Sequence, residues 1–514
     1  MNFYADSNEW KWLFKNAIDW QIIIPLYYKE FPTSEGIENI EEMITYFEEL
    51  FSSIGDWCGN SLANKASELD KVGAGTVNDG RTYFSKVLEE VYLESSEIGL
   101  HGLSVYEKYG GMSAPMCLTS LSFGMIGRAC QSSCSQLGFF PMMVDMLERF
   151  CSKEIKERLI PELITGKISG SMCLTEANAG SDIGSLITSA IKSSDGIYLL
   201  NGTKIFITNG GGDFGFVLAR IKGAPEGLSG ISLFLVERDL PDGSLNYRVI
   251  KNEEKLGQKG AFSCQVVYQD SIGTIVGEEN SGFKIMLYLM NLARIGVGMQ
   301  AAGGMEAVIS YVKDYAGNRE QFGKKLVDLP LYKKNLEDLE IESNAFRALM
   351  FDTISHYEIY QNLDLKKRAT GELNENETKE FQEAFKWVRR RTPLVKYYGT
   401  ETYAKIALKG VQALGGYGYM KDYQTERYLR DSIGGLLYEG TGQMQSLMAL
   451  KDLMKYILKN PGTFFQNLIY SHPIGGIFND GNSCQKEFLK IQYDFKKNFA
   501  GLLMKIFMPS GGEL

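Results

Sequence analysis

Few side chains in this 514-residue sequence are equipped for chemistry without help, and a single carboxylate stands out among them. Glu439 lies in LLYEGTGQMQ (436–445), between a tyrosine and a glycine, with no Arg, Lys or His within seven residues on either side. Read locally, an acid there complements the dipole of a helix starting at GTGQMQSLMALKDLMKYIL. Three histidines are too few to suggest a Ser-His-Asp triad or a histidine-bound metal. The eight cysteines (58, 117, 130, 134, 151, 173, 264 and 484) are scattered, and only Cys130 and Cys134 are close. No second pair completes a zinc site, so they read as buried free thiols of a reducing cytoplasm. The chemistry is therefore expected to lean on a carboxylate and a borrowed cofactor.

Four glycine-rich pieces could hold that cofactor. TEANAGSDIGS (175–185) is a tight turn offering backbone donors and the hydroxyl of Ser181, suited to a phosphate or a polar ring edge, or else a simple hairpin loop. KIFITNGGG (204–212) alternates as a strand, placing Phe206 and Thr208 on one face and Ile207 on the other. That face suits a flat heterocycle, or a core aromatic beside a strand threonine. NREQFGKK (318–325) and QALGGYGY (412–419) add an arginine and a second Gly-Gly turn. No G-x-G-x-x-G follows a strand into a helix, so a Rossmann site is not supported.

The elements that must carry these pieces fall into blocks. Residues 1–168 read as helical: NIEEMITYFEELFSSIGDWCGNSLA and GRTYFSKVLEEVYLESSEIGL space apolar residues by three and four. SKEIKERLIPELITG is expected to start on Ser152 as N-cap and stop near Gly166. Residues 169–282 change to short β-branched and aromatic runs (GIYLLNGTKIFITNG, GFVLARIKG, GISLFLVERD, FSCQVVYQD, GTIVGEE) set off by turns, an antiparallel barrel or sandwich. Residues 283–455 return to helical period as a four-helix bundle, with GMQAAGG letting helices approach closely, and 456–514 read as an appended helical tail. The fold class is α+β multidomain. The net charge of −9 argues against nucleic-acid binding. Charges interrupt the apolar runs before the roughly 20 residues a membrane span needs. The N-terminus lacks a signal-peptide pattern. The expected location is cytoplasmic.

Taken in order, CLTEANAGSD, KIFITNG, KLGQKG, NREQFGK, QALGGYGY and YEGTGQMQ resemble the acyl-CoA dehydrogenase family of flavoproteins over about residues 95–455. The N-terminal extension and helical tail resemble a larger bacterial branch of that family. The resemblance implies FAD, an acyl-CoA substrate, α,β-dehydrogenation to the trans-2-enoyl-CoA, electron-transfer flavoprotein as acceptor, and a homodimer or homotetramer. By motif, Glu439 is the base for the α-proton, with its own N–H a donor to the thioester oxygen. Tyr438, Gly440 and Arg294 belong to the substrate cavity. Met172, Leu174, Thr175, Phe206, Thr208, Thr441 and Gln443 resemble flavin contacts, with Phe206 in place of a frequent tryptophan. Ser181 resembles a residue near the pyrophosphates of FAD and coenzyme A. Arg319, Phe322, Gln412, Gly415 and Gly416 resemble residues holding the ADP half of FAD across a subunit interface. Ala177 and Asn178 stand where Pro-Gly is usual. The alternatives are an acyl-CoA oxidase releasing peroxide, disfavoured by the short C-terminal region, and a non-catalytic acyl-CoA- or flavin-binding relative.

Overall fold

Aromatic side chains organise the N-terminal helices of the computed structural model, which describes residues 1–33, 36–193, 196–470 and 483–507. Helix α1 (Asn8–Asn16) starts on a Ser7 cap, α2 (Trp20–Tyr27) follows, and α3 (Ile40–Trp57) starts on an Asn39 cap. Their rings (Trp10, Phe14, Trp20, Phe47 and Phe51) are all buried and mutually packed. Trp10 also meets Phe351 edge-on at 5.3 Å, and its Nε1 donates to Glu306 at 3.0 Å. The first residues are thus built into the main core.

After α4 (Ala63–Val72) the expected all-helical run fails. Strands β1 (Gly75–Asn78) and β2 (Arg81–Phe84) pair antiparallel around Asp79 and Gly80, whose φ values of +50° and +82° match a two-residue hairpin turn. TVNDGRTYF carries that signal, but four-residue strands are too short to compete with the helical period around them. Helices α5 (Lys86–Glu97), α6 (Met116–Ala129), α7 (Gln131–Leu137) and α8 (Phe139–Phe150) follow. In α9 (Lys153–Ile164), Ser152 is the N-cap and Gly166, at φ +69°, lies just beyond the end, as the sequence predicts.

The β region contains β3 (Gly170–Cys173), β4 (Ser189–Lys192), β5 (Tyr198–Thr208), β6 (Phe214–Ile221), β7 (Ile231–Glu237), β8 (Tyr247–Asn252) and β9 (Ser263–Ile275). Pairing runs β6–β4–β5–β9–β7 and back to β6, a closed barrel, with β3 added to β6 and β8 to β9. Two details differ from the expectation. The β3–β6 and β4–β6 pairings are parallel. FSCQVVYQD and the start of GTIVGEE form one strand, β9, continued through Asp270 at φ +49° where a turn was expected.

The bundle is α10 (Gly282–Asn318), α11 (Pro330–Thr370), α12 (Glu375–Leu414) and α13 (Gln424–Leu437), with the small hairpin β10 (Glu320–Gln321) and β11 (Lys324–Lys325) after α10. Asn374 and Glu377 form a capping box that starts α12. A Cβ at Gly303 would collide with the Gly124 carbonyl, so α10 and α6 meet backbone to backbone where GMQAAGG predicts close approach. Among the described residues α10 alone is long and apolar enough to cross a membrane. Because 78% of that apolar window is buried in the protein, it reads as a core helix.

By contact density the chain divides into Met1–Ser446 and Leu447–Leu514. Helix α14 (Gly442–Lys459) begins in the first unit and ends in the second. The second unit contains α15 (Pro461–Tyr470), α16 (Ser483–Phe507) and a small core of Ile457, Phe464, Phe499 and Ala500. The expected helical tail takes this form over its described residues.

Candidate active site

Between the end of α13 at Leu437 and the start of α14 at Gly442 the chain turns through two residues with positive φ, Glu439 at +56° and Gly440 at +90°. Glycine adopts such a conformation freely, but for a glutamate it costs on the order of 1 kcal/mol or more and must be held. Three buried side chains hold it. Gln445 Nε2 donates to the Glu439 carbonyl at 2.8 Å and Arg294 Nε to the same oxygen at 3.4 Å. Lys396 Nζ donates to the Gly440 carbonyl at 2.6 Å. Thr441 Oγ1 then accepts from Met444 N at 3.4 Å, starting α14.

The carboxylate itself is left free. Glu439 Oε2 is buried with no hydrogen-bond partner. Burial raises the proton affinity of the carboxyl, and Arg294 and Lys396 pull it back only in part, so it stays above the ordinary glutamate value. Among the described residues the Glu439 N–H donates to no acceptor either.

Glu439 faces a cavity of about 350 Å³. Phe123, Phe139, Met142, Gly296 and Val297 line it with apolar surface from α6, α8 and α10. A second stretch of wall is polar. Ser135 Oγ donates to Gln258 Oε1 at 2.7 Å, and Gln258 Nε2 to Tyr438 Oη at 3.2 Å. Tyr438 Oη donates to Gln300 Oε1 at 3.2 Å, and Gln300 Nε2 returns to Ser135 Oγ at 3.1 Å, closing a ring. The spare amide hydrogens go to the Asp431 carbonyl at 3.0 Å and the Gln131 carbonyl at 3.0 Å. The ring joins α7, the KLGQKG loop, α10 and the residue preceding Glu439.

The other expected residues fall into two groups. Thr208, at the end of β5, lines the same cavity as Glu439. Met172 lies in β3, and Leu174 and Thr175 follow that strand in a loop pinned from β5: Lys204 Nζ donates to the Leu174 carbonyl at 2.9 Å and Ile205 N to the Thr175 carbonyl at 2.9 Å. Lys204 also pairs with Glu176 at 2.8 Å, both buried, and Glu176 accepts from Ile187 N, Thr188 N and Thr188 Oγ1. Ser181 is exposed on that loop and Gln443 on the first turn of α14. Phe206 sits in a bulge of β5 at φ +60° and is 63% exposed, outside the cavity lining. The second group is Arg319, Phe322, Gln412, Gly415 and Gly416. Arg319 lies 5.7 Å from the Tyr417 ring, Phe322 is 90% exposed, and a Cβ at Gly415 or Gly416 would meet nothing within 4 Å. None of these five lines the cavity.

Of the first group Thr208 alone lines the cavity, and the setting beside the barrel is compatible with a flat ring such as a flavin. Its loop backbone is rigidly pinned, Thr208 faces the cavity, and the buried Glu439 oxygen lacks any partner of its own. The second group offers an open, exposed surface to anything outside this chain.

Sequence reading passed over Lys396, Gln445, Ser135, Gln258 and Gln300. Lys396 does leave a trace: Thr392, Lys396, Gly399 and Tyr403 follow helical spacing and are all buried, so the lysine interrupts an inward stripe.

Models of three domains match the chain: "Acyl-CoA dehydrogenase, N-terminal domain" at residues 48–167, "middle domain" at 171–271 and "C-terminal domain" at 280–454. An acyl-CoA dehydrogenase of Bacillus subtilis (strain 168) is 34% identical over 365 residues, covering 69% of this chain and 87% of that protein. The solved butyryl-CoA dehydrogenase from Megasphaera elsdenii superposes with a TM-score of 0.66 at 26% identity, covering 79% of this chain and 98% of that one. An acyl-CoA dehydrogenase from Bacillus anthracis, solved in complex with FAD, has the same fold at 24% identity and a TM-score of 0.67, covering 81% and 69%.

Proposed function

The chain belongs to the acyl-CoA dehydrogenase family of FAD-dependent oxidoreductases, and from that premise we propose that it converts an acyl-CoA to its trans-2-enoyl-CoA with Glu439 as base. The observation that carries this reading is a carboxylate, Glu439, that lines the cavity while its buried Oε2 has no hydrogen-bond partner. Bound FAD supplies the acceptor for the hydrogen leaving the β-carbon. Everything else falls to the chain. Glu439 takes the α-proton, and its raised proton affinity matches a base to its task. Its uncommitted N–H would donate to the thioester oxygen as negative charge develops there. Arg294 and Lys396 fix the loop so that the carboxylate does not have to search for its position. The apolar wall from Phe123 to Val297 excludes water from the acyl chain.

Met172, Leu174, Thr175, Thr208, Thr441 and Gln443 would hold the flavin from this chain, with Phe206 against its exposed side and Ser181 near the pyrophosphates. Tyr438 completes the substrate wall in this reading, with Gly440 behind it outside the cavity lining. The exposed cluster of Arg319, Phe322, Gln412, Gly415 and Gly416 supports an ADP site shared with a second copy, hence a homodimer or homotetramer. Electron-transfer flavoprotein is the acceptor in this reading, and the boundaries 168, 282 and 455 its domain limits. In this reading the protein works in the cytoplasm.

An anaerobic titration of the flavoprotein with a panel of acyl-CoAs tests the reading, with bleaching of the flavin as signal. Glu439→Gln is expected to keep FAD and bind thioesters while losing at least about 100-fold in reduction rate. A variant that bleaches at the parent rate removes Glu439 from the reaction.

A further inference from the structure

Lys396 has no role in the chemistry outlined above beyond tethering a carbonyl, yet its setting asks for more. It is wholly buried on α12, and its ammonium donates to a neutral oxygen, the Gly440 carbonyl at 2.6 Å. The charged groups that face it come from three elements: Glu439 from the loop before α14, Arg294 from α10, and Glu401 from its own helix. Among the described residues the charged neighbours of Glu439 are in turn Arg294 and Lys396. Arg294 spends its hydrogen bonds on the Glu439 carbonyl and on Asn291 Oδ1 at 3.2 Å. Two cations therefore surround one carboxylate without touching it. A buried ammonium bound to a carbonyl is expensive unless a nearby negative charge offsets it.

We infer that Lys396 is a positioning residue for Glu439: it anchors the left-handed turn through the Gly440 carbonyl, and its charge keeps the neighbouring carboxylate ionised until substrate arrives. Burial alone drives Glu439 toward the protonated form, in which it cannot accept the α-proton. Lys396 opposes that drive without a direct contact, so the carboxylate oxygen stays free. The cost falls on the lysine, whose ammonium burial brings down to about 8, with Glu439 holding it up. The tether and the charge are separable functions of one side chain. This inference rests on Glu439 being the base, and the experiment keeps the two apart.

The infrared band of a protonated carboxyl is followed against pH in the FAD-loaded protein, with Glu439→Gln as the blank that assigns it. The pH dependence of anaerobic flavin reduction is measured in parallel. Lys396→Met is expected to move the Glu439 midpoint up by about one unit or more, and the acidic limb of the rate with it. Lys396→Gln retains a donor for Gly440 without charge, and should show the same shift. Lys396→Arg should restore the parent midpoint. If Lys396→Met does not fold, the glutamine variant decides. A midpoint unchanged when the charge is removed overturns the inference and leaves the base assignment standing. If Glu439→Gln alters neither band nor rate, the base assignment itself fails.

Discussion

The loop that carries Leu174 and Thr175 hangs on one buried ion pair, and breaking it should be felt both in stability and in flavin binding. Lys204 is fully buried and Glu176 is 5% exposed. Lys204→Met removes the bond to the Leu174 carbonyl and leaves Glu176 with three donors but no cation. Stranding one member of a buried pair costs about 3–5 kcal/mol. At ~2.1 cal/mol/K per residue, a unit the size of Met1–Ser446 loses about 1 °C of Tm for each kcal/mol. The expected loss in a thermal melt is therefore about 3–5 °C, together with weaker FAD retention on dilution. Glu176→Gln should cost a similar amount, since it strands the ammonium. The double variant pairs two neutral groups and should recover at least about 2 kcal/mol of the summed losses. Acid should reveal the same pair. Burial raises the Glu176 carboxyl, but Lys204, Thr188 and the Ile187 N–H outweigh it and hold the group below its ordinary value. Its contribution is complete above the unfolded carboxylate range and is lost as pH falls through the depressed folded value. The gap between parent and Glu176→Gln should then close in acid. Single variants that melt within 1 °C of the parent (about 1 kcal/mol), or a double variant whose loss is the simple sum, would refute this account.

Two further outcomes can be checked. Asp431 is buried on α13 and accepts from Gln258 N at 2.5 Å, and burial pushes its carboxyl up to about 6. Because the folded value is raised, ionisation costs stability as pH climbs through it, by about 3 kcal/mol in full. Asp431→Asn stays neutral, so its urea midpoint should gain on the parent between pH ~4 and ~7, and a constant gap would contradict the assignment. A Cβ at Gly296 would lie 3.2 Å from the Phe123 ring in the apolar part of the cavity. Gly296→Val should therefore cut kcat/KM for longer acyl-CoAs by about 10- to 200-fold relative to short ones, and an unchanged ratio would place the acyl chain elsewhere.

Where a feature depends on neighbours in sequence, it was legible. The Ser152 cap, the Gly166 stop and the bundle helices follow from local spacing. The position of Glu439 before a helix start follows from Gly440 and Thr441. Motif order identified the family, which no single motif could have done. Features closed by distant partners were not legible. The parallel pairings of β6 depend on which strand ends meet. Asp270 at positive φ carries β9 through what read as a turn. The alternation that set Phe206 beside Thr208 takes no account of the bulge at Phe206. Lys396, Gln445 and Gln300 act on the base loop from other helices or turns, and nothing in their own surroundings names the carbonyl or ring they complete.

The ring of Ser135, Gln258, Tyr438 and Gln300 has a direction, since every hydroxyl and amide hydrogen in it already points at an acceptor. What the ring itself has left to offer is lone pairs. Such a surface can receive a hydrogen bond but cannot give one, so it sorts visitors by the sign of their polarity. Methylene groups pass it with little loss and a hydroxyl on the acyl tail finds a welcome, whereas a terminal carboxylate would be turned from the ring toward Lys255 and Arg430 elsewhere in the lining.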